Sequence, residues 1–240
     1  MSRSRRIAIV PALNEEASVG TVVDEIRAVD PSFEVLVVDD GSTDGTASVA
    51  AGRGARVVSL PFNLGIGGAM QTGYRFALDH GYDVAVQVDG DGQHDPTELP
   101  ALLAPLLAGE ADLVVGSRFA GRGVYRAPLF RRAGMRLFAW TASRMARQPL
   151  TDTTSGFRAV NRRGIALFAE EYPHDYPEVE AVVTVARARL RVAEVPVSMR
   201  LRSGGRSSIA GLTGPYYVVK VLVAVLVGLL RRPVAPAEVA

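Results

Sequence analysis

The sequence has no cysteine. That absence excludes disulfide scaffolds, thiolate nucleophiles and thiolate metal sites, and it suits a reducing compartment. Its three histidines offer no Ser-His-Asp arrangement: His80 is expected to end a helix, His174 to lie in a Pro/Tyr loop, and His94 to line an acidic turn. There is no G-x-x-x-x-G-K-[ST] segment, so the P-loop reading fails. The first strand-to-helix turn, PALNEE, lacks glycine, and a dinucleotide fingerprint belongs in that turn. No apolar run reaches the about 20 residues that cross a bilayer. The run YYVVKVLVAVLVGLL, 216–230, carries Lys220 and reads as a core helix or a helix lying on a membrane surface. No leader pattern is visible in MSRSRRIAIVPALNEE, and there is no internal repeat or low-complexity linker. Acidic residues are missing between Asp112 and Asp152, where Arg118, Arg122, Arg126, Arg131, Arg132, Arg136, Arg144 and Arg147 all fall. Such a block is either a solvated basic face or a surface for phosphates.

What is present is an alternation of strand and helix patterns in 240 residues, enough for one large domain or a domain with an appendage. IAIVPAL precedes a helical spacing of Val19, Val22, Val23, Ile26 and Val29. VLVV, ARVVSL, DVAVQV and DLVVGSRF follow, with helices expected after Thr43-Asp44, from about Gly68 to His80, and from Pro96. Continuous apolar strands separated by helices predict an α/β fold with a mostly parallel sheet covered on both faces. Residues 1–118 read as a nucleotide-binding half. Beyond them a basic helix is expected over 129–147, then strands at GFRAV and RVAEVPVSM, and a Gly/Ser/Arg loop at 201–208.

In such folds ligands sit outside the carboxyl ends of the strands. The polar clusters fall there: PALNEE, DDGSTDGT, NLGIGG, DGDGQHD and GSR. In the fourth, Asp89 and Asp91 are two residues apart. In an extended segment they share a side at roughly 7 Å between Cα atoms, where their charges repel by about 2 kcal/mol at an effective dielectric near 20. A divalent cation converts that repulsion into binding. Oxygen ligands alone, with Gln93 beside them, point to Mg²⁺ or Mn²⁺. A calcium loop is disfavoured because His94 and Pro100 stand where it needs glycine and glutamate; a plain acidic turn is the bland alternative. Asp44 reads as a helix cap, and one of Asp39 and Asp40 as a contact to base or ribose. Gly65 and Gly67 give a lone G-x-G, weak evidence for backbone approaching a nucleotide.

PALNEE, VVDDGSTDGT, NLGIGGAMQTG, VQVDGDGQHDP, VVGSRF, DTTSGFRAVNRR and EVPVSMRLRSGGRSSI, in that order, resemble the family-2 glycosyltransferases, closest to the dolichyl- or polyprenyl-phosphate hexose synthases. The likeness spans about residues 5–210. It implies a GT-A fold, a UDP- or GDP-hexose donor, a divalent metal and inversion at the anomeric carbon. An acceptor half is expected over 119–210 and a C-terminal helix over 211–240; that apolar helix and the arginine block lead to the expectation of membrane contact and a peripheral place at the cytoplasmic face of the cell membrane.

By position the resemblance assigns Pro11, Ala12, Asn14 and Glu15 to the base and ribose pocket, with Asp40 or Asp39 on the nucleoside. It assigns Asp89, Asp91 and Gln93 to the metal, Arg118 to an acceptor phosphate and Arg206 to the donor diphosphate. Arg131 and Ser155 join the substrate-binding set, and Asp91, Arg118 and Arg206 are the catalytic set. Met135 and Ala139 replace a serine and an asparagine usual in the lipid-phosphate branch, and Ile66 replaces a lysine. These changes bear on the acceptor.

An acceptor that is already a phosphate needs no general base, whereas a hydroxyl acceptor does; Asp152 and Glu178 are the candidates for that role. A soluble hydroxyl acceptor is therefore the main alternative. A sugar nucleotidyltransferase and a regulatory module binding nucleotide sugars or lipid phosphates are further ones.

Overall fold

The computed structural model describes residues 4–119, 143–144, 150–174 and 177–200. The expected basic helix at 129–147 and the C-terminal helix lie outside these, apart from Ser143 and Arg144.

The chain begins with strand β1 (Arg6–Ala12), helix α1 (Val19–Val29), β2 (Phe33–Asp39), α2 (Thr46–Gly52), β3 (Arg56–Ser59), α3 (Gly65–Asp79) and β4 (Val84–Gln87). A 3-10 turn at Pro96–Glu98 leads into α4 (Leu99–Leu107), then β5 (Leu113–Ser117), β6 (Arg158–Asn161), α5 (Arg162–Glu170), α6 (Pro177–Arg187) and β7 (Val192–Pro196). The strands form one sheet in the order β3-β2-β1-β4-β6-β5-β7. All run the same way except β6, which is antiparallel to both β4 and β5. The α/β class and the mostly parallel sheet are as the apolar runs predict, and the seven strands include both GFRAV and RVAEVPVSM.

The period of two in each strand divides the core into two layers. Ile7, Ile9, Leu36 and Val38 face Met70, Tyr74 and Ala77 of α3 and Phe168 of α5. Ala8, Val10, Val35 and Val37 face Val19, Val23 and Ile26 of α1 and Leu99 and Leu102 of α4. Every one of these side chains is buried, so β1 and β2 must be apolar at consecutive positions. At roughly 1.5–3 kcal/mol per large aliphatic side chain, these layers dominate the driving force for folding.

Inserting β6 has a consequence for function. Because it runs against β4, its first residue pairs with the last of β4, Arg158 with Gln87. The loop before β6, residues 152–157, is thereby delivered to the carboxyl edge of the sheet.

Candidate active site

The five polar turns follow β1 to β5, which point the same way, so all five lie at one edge. The first two are joined to each other. The Asn14 backbone N–H donates to Ser42 Oγ at 2.9 Å, and Asn14 Oδ1 accepts from Thr43 N at 2.9 Å. The Glu15 N–H donates to Thr46 Oγ1 at 2.9 Å, and Gly45 N donates to Glu16 Oε2 at 2.7 Å. Asn14 sits at φ 56°, a left-handed conformation that asparagine tolerates better than most residues. Asp44 accepts from Thr46 N at 3.0 Å. It thus closes a short turn, while the residue flanking α2 is Gly45.

Asp39 and Asp40 are both buried and occupied. Asp39 Oδ1 accepts from Ser42 N at 3.0 Å. Asp40 accepts from Leu64 N at 2.7 Å and Gly65 N at 2.9 Å, which ties the end of β2 to the start of α3. Burial pushes the Asp40 carboxyl above its ordinary value, against those two N–H donors and with the Asp39 charge adding to the rise. Gly65 stands at φ 80°. Gly67 is packed elsewhere: a Cβ there would meet His174 Cα and Pro173 O at 2.6 Å each. Its lack of a side chain serves the approach of the 173–174 loop to α3.

The acidic turn is not extended. β4 stops at Gln87, and a tight turn at 90–92 places Gly92 at φ 76°. Asp89 and Asp91 are thus linked through a turn and not through the extended segment expected. Gly90 N donates to Pro11 O at 3.3 Å, and a Cβ at Gly90 would meet Pro11 O at 3.1 Å and Ala12 Cβ at 3.3 Å. The turn is thus seated on the end of β1, beside the residues assigned to the nucleoside. Asp91 is 8% exposed, and its Oδ1 accepts from Gln93 N at 3.0 Å. Asp89 Oδ1 accepts from Gln87 Nε2 at 3.1 Å. Asp89, Asp91 and Gln93 offer oxygen donors only. Among the described residues no three His, Cys, Asp or Glu side chains form a complete cage. Such a sparse set fits a hard cation whose remaining ligands are substrate phosphate oxygens and water.

After β5, the Arg118 guanidinium grips Asp152: Nε to Oδ2 at 2.7 Å and Nη2 to Oδ1 at 2.8 Å. Nη2 also donates to Thr154 Oγ1 at 2.7 Å. Burial pushes the Asp152 carboxyl up, but the Arg118 bonds and charge outweigh it and hold the group below the usual carboxylate range. Glu178 behaves oppositely. Burial raises its carboxyl, with the Asp89 charge adding to the rise and the Arg158 and Arg118 charges opposing it.

Arg158, 1% exposed, donates to the carbonyls of Ser155, Thr153, Pro177 and Glu178. Ser155 is buried, and its Oγ accepts from Phe157 N at 3.3 Å; its hydroxyl shapes the loop internally.

The site therefore gathers Pro11, Ala12, Asn14, Glu15, Asp39, Asp40, Gly65, Asp89, Asp91, Gln93 and Arg118 at one edge, with Gly67 and Ser155 turned to packing. Arg131 and Arg206, together with Met135 and Ala139, lie outside the described residues. Sequence reasoning missed Thr46 and Glu16, which with Ser42 join the first two turns, and Gln87 and Arg158; His94, expected to line the acidic turn, lies against Asp89. Gln87 carried a signal, since it precedes Asp89 by two residues and so shares its side of the strand. Arg158 carried none, because its partners are backbone carbonyls brought from elsewhere.

A mostly parallel sheet with one reversed strand and its polar turns at the carboxyl edge is an architecture of the GT-A type. The chain belongs to glycosyl transferase family 2, whose model matches residues 7–167. It is 36% identical over 220 residues to an undecaprenyl-phosphate mannosyltransferase of Micrococcus luteus, covering 86% of this chain and 88% of that one. It is 32% identical over 217 residues to a polyprenol monophosphomannose synthase of Mycolicibacterium smegmatis, covering 86% and 82%. Among solved structures, glucosyl-3-phosphoglycerate synthase of Mycobacterium tuberculosis, in complex with Mn²⁺, UDP-glucose and phosphoglyceric acid, superposes with a TM-score of 0.70. That match has 26% identity and covers 96% of this chain and 81% of that one. No helix among the described residues is long and apolar enough to cross a membrane.

Proposed function

We propose that the protein transfers a hexose, with inversion, from a UDP- or GDP-sugar to a polyprenyl phosphate or related membrane lipid phosphate at the cytoplasmic membrane surface. The observation that carries this reading is the acidic turn seated on Pro11 and Ala12, which sets an oxygen-only cation site against the nucleoside side of the sheet edge. Asp89, Asp91 and Gln93 hold Mg²⁺ or Mn²⁺, which when bound neutralises charge developing on the departing diphosphate.

The acceptor side follows from charge. Asp152 is locked to Arg118 and held ionised with both oxygens occupied, which makes it a poor proton acceptor. A phosphate acceptor is already an anionic nucleophile and requires no such group. The Arg118 guanidinium, held in a fixed orientation by Asp152 and Thr154, presents cationic surface to it. Two relatives named for polyprenyl or undecaprenyl phosphate support the same acceptor. So do the arginine-rich stretch and the apolar 216–230 segment.

One observation favours a second reading. Glu178, its carboxyl raised by burial, is the candidate general base for a hydroxyl acceptor, and a structural neighbour was crystallised with phosphoglyceric acid.

Purified protein with UDP- or GDP-hexose, Mn²⁺ and vesicles containing polyprenyl phosphate should give a glycosyl phospholipid of inverted anomeric configuration. Asp91→Asn should reduce turnover by at least about 100-fold, the loss of several kcal/mol of transition-state stabilisation. Turnover only with a soluble hydroxyl acceptor, abolished in Glu178→Gln, would establish the second reading instead.

A further inference from the structure

Asp89 is held on both sides by groups to which no role has been given so far. Gln87, 4% exposed, donates from Nε2 to Asp89 Oδ1 at 3.1 Å. His94, also 4% exposed, accepts the Asp89 backbone N–H at Nδ1, 3.0 Å away. An N–H can bond only an unprotonated ring nitrogen, so in the neutral imidazole the proton sits on Nε2. That nitrogen lies 3.5 Å from Asp89 Oδ2, longer than a formed bond of about 2.7–3.2 Å but near enough for its donor dipole to act on that oxygen.

The ring itself is fixed. It stacks on Phe157 with centroids 4.7 Å apart and planes 16° from parallel, and the His94 backbone bridges to Met199. Gly156 closes the enclosure. A Cβ there would stand 3.1 Å from Gln87 Nε2, 3.4 Å from Asp89 Oδ2 and 3.5 Å from His94 Cε1, so a side chain at 156 would press on the bracket.

We infer that His94 is a positioning residue for the cation site. Its Nδ1 fixes the Asp89 main chain, and its Nε2–H, opposite Gln87, fixes the Asp89 carboxylate so that the remaining lone pairs face the cation. The inference rests on the reading of Asp89 and Asp91 as cation ligands. Neighbours that orient a ligand in this way commonly change metal affinity by about 10–100-fold when removed.

Two measurements test it. Long-range ¹H–¹⁵N correlation spectra of the neutral, metal-free protein should show His94 protonated at Nε2; protonation at Nδ1 overturns the inference with no variant needed. Mn²⁺ is then titrated calorimetrically in the presence of UDP, or of GDP if that is the nucleotide bound. His94→Phe, which keeps the stacking and removes both nitrogens, should weaken Mn²⁺ by about 10–100-fold. Excess Mn²⁺ should recover most of the turnover, which a general loss of structure would not allow. His94→Gln, which restores a donor toward Oδ2, should regain part of the affinity. Unchanged Mn²⁺ affinity in His94→Phe while Asp91→Asn abolishes binding would overturn the positioning role alone. Unchanged affinity in Asp91→Asn as well would overturn the cation site beneath it.

Discussion

At Asp152 two effects oppose each other. Burial disfavours the charge, and the two-pronged Arg118 contact favours it more. The sign of the outcome sets a pH dependence. A carboxyl held below its unfolded value of about 3.9 contributes stability that is fully present above that value and is lost as pH falls through the folded pKa. Asp152→Asn should therefore cost about 3 kcal/mol at neutral pH, since it removes the buried charge that pairs with the partly exposed Arg118 guanidinium. In urea titrations its deficit relative to wild type should stay constant down to about pH 4 and shrink only below that; a deficit that grows on acidification would contradict the pairing. The sequence suggested Arg118 for an acceptor phosphate and Asp152 as a base for the alternative hydroxyl acceptor. It did not reveal that each occupies the other, because a separation of 34 positions gives no distance.

At the scale of an element, α3 shows how glycines of similar appearance carry different constraints. Gly65 has open space around its missing Cβ but a φ of 80°; Gly67 has ordinary backbone and a 2.6 Å clash waiting in the 173–174 loop. In α2, Gly52 has neither constraint. Gly52→Ala should raise stability by about 0.5–1 kcal/mol through helix propensity. Gly65→Ala should lower it by about 1–2 kcal/mol through left-handed strain. Gly67→Ala should lower it by about 1–3 kcal/mol through overpacking against backbone that cannot yield. Thermal melts should rank the three variants Gly52→Ala above wild type and both others below it. The NLGIGG run by itself suggested a nucleotide loop. Its helical start at Gly65, three residues before the expected one, is tied to Asp40 at the end of β2, and the packing of Gly67 depends on the 173–174 loop, which lies about a hundred residues further along the chain.

On the scale of the whole molecule, the sheet joins the two halves that composition suggests. Both neighbours of β5, namely β6 and β7, come from beyond residue 150. A fragment ending at Arg118 would leave β5 with no partner and the 3-10 turn and α4 covering an incomplete layer. Such a fragment should show no cooperative thermal transition by circular dichroism, whereas the full chain should unfold with one dominant transition; a fragment melting cooperatively would establish an independent domain.

The strand and helix types, the doubly covered sheet and the polar clusters at one edge were determined by the sequence alone, because consecutive apolar residues and turn chemistry act over a few positions and need no distant partner. The insertion of β6 against β4 was decided only in three dimensions. That one pairing brings the 152–157 loop to the acidic turn, sets Gly156 against Asp89, and pairs Arg158 with Gln87. Strand order has no local signature: it is fixed by which long-range arrangement buries the most apolar surface while satisfying every backbone hydrogen bond.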